Sequence, residues 1–129
     1  MIYGIGTDVV EVKRIKESFF KHGQALAKKI LTSQELLTYK KTKVKENFLA
    51  KRFAAKEAFA KALGTGFRGN LNFNDIEIIN DKMGKPYYLI TKKITELIQM
   101  KFKIKKFNCF LSISDENDYS TAFTIIQSI

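Results

Sequence analysis

Cysteine, histidine and proline each occur once in this 129-residue chain, and each scarcity closes off a class of chemistry. With Cys109 alone, no internal disulfide can form and no second thiol supports metal or redox work. Its place in the apolar run Phe107 to Ile113 reads as that of a small buried hydrophobe. His22 lies in a polar segment beside Lys21 and Gly23, where an exposed position near a helix end is expected. A zinc site therefore lacks ligands, and a Ser-His-Asp triad would have only this one ring to use. Pro86 is the sole proline and glycine occurs seven times, too few for a dividing linker, so residues 1–129 read as one domain. No segment repeats. No apolar stretch approaches the length of a bilayer span, and the opening Met1-Ile2-Tyr3-Gly4-Ile5-Gly6 lacks the basic and apolar regions of a signal peptide. A cytoplasmic protein without a membrane partner is expected. There is no G-x-x-x-x-G-K-[ST] loop, and Gly4-Ile5-Gly6 lacks the third glycine of a dinucleotide fingerprint, because Val9 stands there.

Positive charge is what the chain has in plenty. Lysine and arginine total 23 against 13 acids, for a formal net charge of +10. Only Arg14, Arg52 and Arg68 are arginines. Such a field attracts anionic partners, whether nucleic acid, an acidic protein or a phosphorylated small molecule. A hydrophobic fraction of 45% is that of a globular protein.

Periodicity divides the chain into helices and strands. Ile2 to Val12 is rich in β-branched residues and predicts a strand that bends near Gly4 and Gly6. From Glu11 to Phe20, Val12, Ile15, Phe19 and Phe20 fall at helical spacing. Thr32-Ser33-Gln34-Glu35 fits a capping box, opening a short helix that ends in the basic run Lys40, Lys41, Lys43 and Lys45. Val44 to Leu63 predicts the longest helix, closed by Gly64. Ile76 to Ile79 and Tyr87 to Ile90 predict a hairpin around Asp81 to Lys85. Thr91 can cap a helix ending near Phe102, and Asn108 to Ser114 with Tyr119 to Ile126 predict a second hairpin. The mixture predicts an α+β fold with a largely antiparallel sheet.

Two carboxylates stand out. Asp8 lies within an apolar strand, so it must point to solvent or meet a partner, since unpaired burial is costly. Glu57 sits mid-helix, with Phe53, Ala54, Ala60 and Lys61 three or four residues away. It reads either as half of a surface Glu–Lys pair or as a carboxylate on a face kept low by alanines for a ligand. Magnesium is usually held by one or two carboxylates plus substrate phosphates. Two acids, a nearby lysine and surplus positive charge suit a phosphate-bearing substrate. Spacing alone does not bring Asp8 and Glu57 together.

The wording of the sequence then becomes specific. Gly4-Ile5-Gly6-Thr7-Asp8-Val9-Val10-Glu11 resembles the N-terminal signature of the holo-acyl-carrier-protein synthases. The segment Phe48 to Gly66, with Arg52-Phe53-Ala54-Ala55-Lys56-Glu57-Ala58 at its centre, is similar to their central helix almost throughout. Asp75-Ile76-Glu77-Ile78 with Gly84-Lys85-Pro86 resembles their hairpin, and Leu111-Ser112-Ile113-Ser114 their last motif. The resemblance implies a 4′-phosphopantetheinyl transferase fold, its sheet packed with the long central helix, and a homotrimer with active sites at the interfaces. It implies magnesium-dependent transfer of 4′-phosphopantetheine from coenzyme A to a serine of apo-acyl carrier protein, serving fatty-acid synthesis. On that likeness Asp8 and Glu57 hold magnesium and, with Lys61, form the catalytic set. Arg52, Lys61, Pro86, Ser112 and Asp115 line the coenzyme A site. Arg14 and Lys21 dock the acidic carrier protein.

One departure is plain. After Ser112-Ile113-Ser114 the family usually has histidine, and here Asp115 and Glu116 follow. A histidine donates, accepts and titrates near neutrality, whereas an ionised aspartate only accepts and repels phosphate. The general base is thus open among metal-bound water, Glu57 and Asp115. Two other readings are weighed. The basic runs Lys40 to Lys45 and Lys101 to Lys106 could track a nucleic-acid backbone, but no RNP-like, zinc-finger or helix-turn-helix pattern accompanies them. Related transferases of broader specificity resemble two such units in one chain, and this chain has the length of one.

Overall fold

The computed structural model describes residues 1–129 and has an α+β architecture. In chain order the elements are β1 (Ile2–Glu11), α1 (Val12–His22), α2 (Gln24–Ile30), α3 (Ser33–Lys41) and α4 (Lys45–Leu63). A short 3₁₀ turn (Phe73–Asp75) leads to β2 (Glu77–Asn80), β3 (Pro86–Leu89), α5 (Lys92–Phe102), β4 (Phe107–Asp115) and β5 (Tyr119–Ser128). The main sheet is antiparallel with order β1-β5-β4, and β2-β3 forms a separate hairpin. No helix is long and apolar enough to cross a membrane.

Local chemistry accounts for most boundaries. Thr32 accepts from the Glu35 amide while the Glu35 carboxylate accepts from the Thr32 amide, which completes the expected capping box of α3. Gly64 closes α4 in the left-handed conformation, its amide bonded to the Ala60 and Lys61 carbonyls. The Thr91 hydroxyl caps α5 by accepting from the Ile94 amide. Two features differ from the sequence expectation. The seven-residue α2, set off from α1 by Gly23 at φ +56°, is too short to show a period. The basic run does not extend α3, which stops at Lys41; Lys45 instead opens α4. His22 is exposed at the end of α1. Cys109 is half-buried against the core, and its surroundings push the thiol up to about 12.

Strand alternation divides the main sheet into two faces. Gly4, Gly6, Asp8 and Val10 of β1 share a face with Ala122, Thr124 and Ile126 of β5, and α4 packs on it. The contact is unusually close. A Cβ on Gly6 would collide with the Ala58 carbonyl oxygen, and one on Gly4 with that of Ala62. Glycine on the strand and alanine on the helix are thus required together. The opposite face carries Ile5, Val9, Phe110 and Phe123, all exposed.

Replacing Gly6 with alanine should force α4 off the sheet. Overpacking of this kind costs about 3 kcal/mol or more when the neighbour is backbone rather than a yielding side chain. A urea unfolding curve checks this; an unchanged midpoint would refute the close-contact account.

Candidate active site

The strand–helix seam decides what lies beside Asp8. Gly6 faces Ala58 and Gly4 faces Ala62, so β1 runs opposite to α4. Continuing along β1, Asp8 reaches the middle of the helix, where Phe53 and Glu57 flank the alanine stripe. Asp8 and Glu57 line one cleft of about 400 Å³ together with Phe53, Ile15 and Arg14 of α1. The two carboxylates that spacing left apart are therefore neighbours.

Lys61 completes the group. Helical side chains lean toward the N-terminus, which carries this one back along α4. Its Nζ donates to Asp8 Oδ1 at 3.2 Å, with the lysine side chain 54% exposed and the aspartate 15%. Lys61 thus reaches across to β1 rather than forming the surface pair with Glu57. Burial pushes the Asp8 carboxyl above its ordinary range, against the opposing pull of Lys61. Glu57 is also raised, first by burial and then by the negative charge of Asp8. Two carboxylates that repel each other in a half-desolvated cleft favour a cation between them.

The chain gathers no group of three or more His, Cys, Asp or Glu side chains able to hold a metal. The donor set of this cleft is two carboxylates. That is too few for a zinc-type cage, but it fits the habit of magnesium, which fills the rest of its octahedron with water and substrate oxygens.

The remaining candidates fall into four places. Arg14 and Lys21 border one surface hollow on α1, beside Phe20, which is 93% exposed. Arg52 is 6% exposed; its Nη2 donates to Asn80 Oδ1 at 3.0 Å and its guanidinium lies 4.6 Å over the Phe48 ring. Asn80 pairs with Pro86 across the hairpin, so Arg52 and Pro86 share the β2-β3 region, away from Asp8. Ser112 sits in register with Phe123 and Thr7, on the sheet face turned away from α4. Asp115 ends β4, exposed beside Tyr119 and Thr121.

Sequence reasoning passed over Glu35 as more than a cap, and Lys56 altogether. Lys56 is fully buried and donates to Glu35 Oε1 at 2.6 Å. A signal was present. Leu49, Phe59 and Leu63 mark a core stripe at i, i+10 and i+14, and Arg52 and Lys56 fall within it at i+3 and i+7. Charges at core positions require partners.

The chain resembles known proteins along nearly its whole length. The family model described as the 4′-phosphopantetheinyl transferase superfamily matches residues 4–124. The holo-[acyl-carrier-protein] synthase of Pelagibacter ubique is 53% identical over 126 residues, covering 98% of this chain and 97% of the relative. The crystal structure of the Neisseria meningitidis holo-[acyl-carrier-protein] synthase superposes with a TM-score of 0.89 at 46% identity, covering 99% and 100% of the two chains. A Bacillus anthracis holo-(acyl-carrier-protein) synthase, solved in complex with CoA (3′,5′-ADP), gives 0.82 at 34% identity, covering 100% and 99%.

The raised carboxyls make a stability prediction with a definite sign. A carboxyl whose folded value lies above its unfolded value binds its proton more tightly when folded. Its ionised form therefore costs stability above the folded value, and that cost is relieved as pH falls toward the ordinary value of 4.5 for Glu57. Glu57→Gln should raise the thermal midpoint of the metal-free protein at pH 7, with the gain shrinking as the buffer is acidified below the raised value. A lower midpoint at pH 7 would mean that Glu57 stabilises the fold as an ordinary surface acid.

Proposed function

Since the chain belongs to the 4′-phosphopantetheinyl transferase superfamily, among its holo-[acyl-carrier-protein] synthases, we propose that it moves 4′-phosphopantetheine from coenzyme A to a serine of apo-acyl carrier protein. Adenosine 3′,5′-bisphosphate leaves, magnesium is the cofactor, and the loaded carrier serves fatty-acid synthesis. The observation that carries this reading is the meeting of Asp8 and Glu57 in one cleft, from a strand and a helix far apart in sequence, with Lys61 bonded to Asp8.

Asp8 and Glu57 are the residues that would hold magnesium, whose charge, when bound, offsets the negative charge that develops on the pyrophosphate of the donor. Lys61 brings a half-exposed ammonium to the reacting phosphate. Its present partner, Asp8, keeps it over the cleft. Phosphoryl transfer depends mainly on positioning and charge neutralisation, and these three groups supply both. The carrier serine forms the new bond to phosphorus while the bond to the bisphosphate breaks. The serine proton has two carboxylate acceptors in this chain, Glu57 and Asp115. Of the two, Glu57 shares the cleft with Asp8, whereas Asp115 ends β4 in a separate hollow.

Arg14 and Lys21 on α1 give the acidic carrier a cationic landing site next to the same cleft, which Arg14 also lines. A homotrimer with interfacial sites fits the rest. Ile5, Val9, Phe110 and Phe123 form an apolar sheet face that suits a second copy. Ser112 lies on that face, so a neighbour seated there is the route by which it would join a cleft.

Incubating the protein with coenzyme A, magnesium and apo-carrier should add a phosphopantetheine-sized mass to the carrier in a mass spectrum. Asp8→Ala and Glu57→Ala should each reduce the rate by about two orders of magnitude or more while the fold persists. Full activity in either variant would overturn the assignment. Sedimentation equilibrium should give three chains per particle, and Phe123→Glu, which puts a charge on the open face, should dissociate them. A monomeric parent that is fully active would defeat the interfacial reading.

A further inference from the structure

Helix α4 is held from two sides, and Glu57 occupies the arc between them. At about 100° per residue, Ala54, Ala58 and Ala62 face β1, Arg52 and Lys56 face α3, and Phe53, Glu57 and Lys61 lie roughly a third of a turn from each stripe. Backbone contact with Gly4 and Gly6 fixes the first stripe. On the second, beside the buried Leu49, Phe59 and Leu63, one carboxylate side chain answers both cations.

That side chain is Glu35, itself 3% exposed. Its Oε1 accepts from Lys56 Nζ at 2.6 Å and from the Thr32 amide at 2.9 Å. Its Oε2 accepts from the Ile78 amide at 3.0 Å and lies 3.4 Å from Arg52 Nε. Lys56 also donates to the Ile30 carbonyl at 2.6 Å. Arg52 donates to Asn80, whose amide donates to the Gly84 carbonyl at 2.9 Å. One carboxylate thus ties the end of α2, the cap of α3, two turns of α4, strand β2 and, through Arg52, the hairpin turn. Apolar residues on this stripe would fill the same space with no loss of stability in many proteins. What they would lack is direction: a hydrogen-bonded ion network accepts one rotation of the helix, whereas an oily stripe tolerates several.

Resting on the reading above, we propose that Glu35 is a positioning residue of the active site. Through Lys56 and Arg52 it fixes the rotation of α4 that turns Glu57 toward Asp8, and it holds the Arg52 guanidinium against the β2-β3 hairpin.

Two full-length variants test this. Glu35→Leu with Lys56→Met removes the buried pair and keeps the volume; Glu35→Gln keeps the shape and removes the charge. Each is compared with the parent for urea midpoint, for the thermal shift given by magnesium with coenzyme A, and for carrier loading. The double variant is expected to have a lower urea midpoint, because Arg52 keeps its buried charge and the Thr32 and Ile78 amides lose their acceptor, so its loading is compared in enough trimethylamine oxide to restore the parental midpoint. Its magnesium requirement and its KM for coenzyme A should each rise about tenfold or more, with a smaller change in kcat at saturation and a reduced thermal shift. A double variant with parental KM, magnesium dependence and thermal shift overturns the proposal. If the double variant unfolds, Glu35→Gln decides, assayed in enough trimethylamine oxide to restore the parental midpoint. A loss that persists there supports positioning, and a loss that disappears overturns it. Loading by the parent and its failure in Glu57→Ala decide the underlying reading separately.

Discussion

The seam between β1 and α4 governs this molecule. Backbone meets backbone there, because Gly4 and Gly6 offer no side chain and Ala58 and Ala62 offer little. Carbonyl oxygens of the helix lie where strand side chains would otherwise be. Such a contact has almost no slack, since interiors are packed as tightly as organic crystals and backbone does not yield. Two residues further along the strand, Asp8 inherits that rigidity. Its distance from the helix face is set by its neighbours rather than by its own side chain.

The chain buries carboxylates in two ways, and the contrast is instructive. Glu35 is enclosed but fully answered, by two cations and two backbone amides. Asp8 and Glu57 are less enclosed and less fully answered: Asp8 has one partly exposed lysine, and Glu57 feels the repulsion of Asp8 with only the same lysine pulling the other way. Stability alone would favour the first arrangement everywhere. Unresolved repulsion in a cleft is the mark of a site that awaits charge from outside the chain.

Much of this was legible in the sequence. The capping box at Thr32, the glycine closing α4 and the hairpin turns are local, and local chemistry writes itself into a few adjacent letters. The resemblance in Gly4 to Glu11 and Phe48 to Gly66 carried the family. Four things were not legible, each for a physical reason. Helix α2 spans seven residues, fewer than any period needs to declare itself. The partner of Lys61 is Asp8, a residue 53 positions away, and a helical wheel shows only the nearer Glu57. Lys56 reads as a solvated lysine in an alanine-rich helix, and only its place in the Leu49, Phe59 and Leu63 stripe betrays that it is enclosed. Ser112 could be named by likeness, but its direction depends on strand register, which no single-strand pattern fixes.

Strand β1 hydrogen-bonds to β5 and to no other strand, and Met1 is tied to Ser128 at the far end of the chain. β1 therefore has no sheet to join until β5 has left the ribosome. Closing so long a loop is entropically slow. Asp8 is among the last side chains to find its setting, so a chain ended before β5 carries both acids and the whole central helix yet has no sheet to hold the acids together.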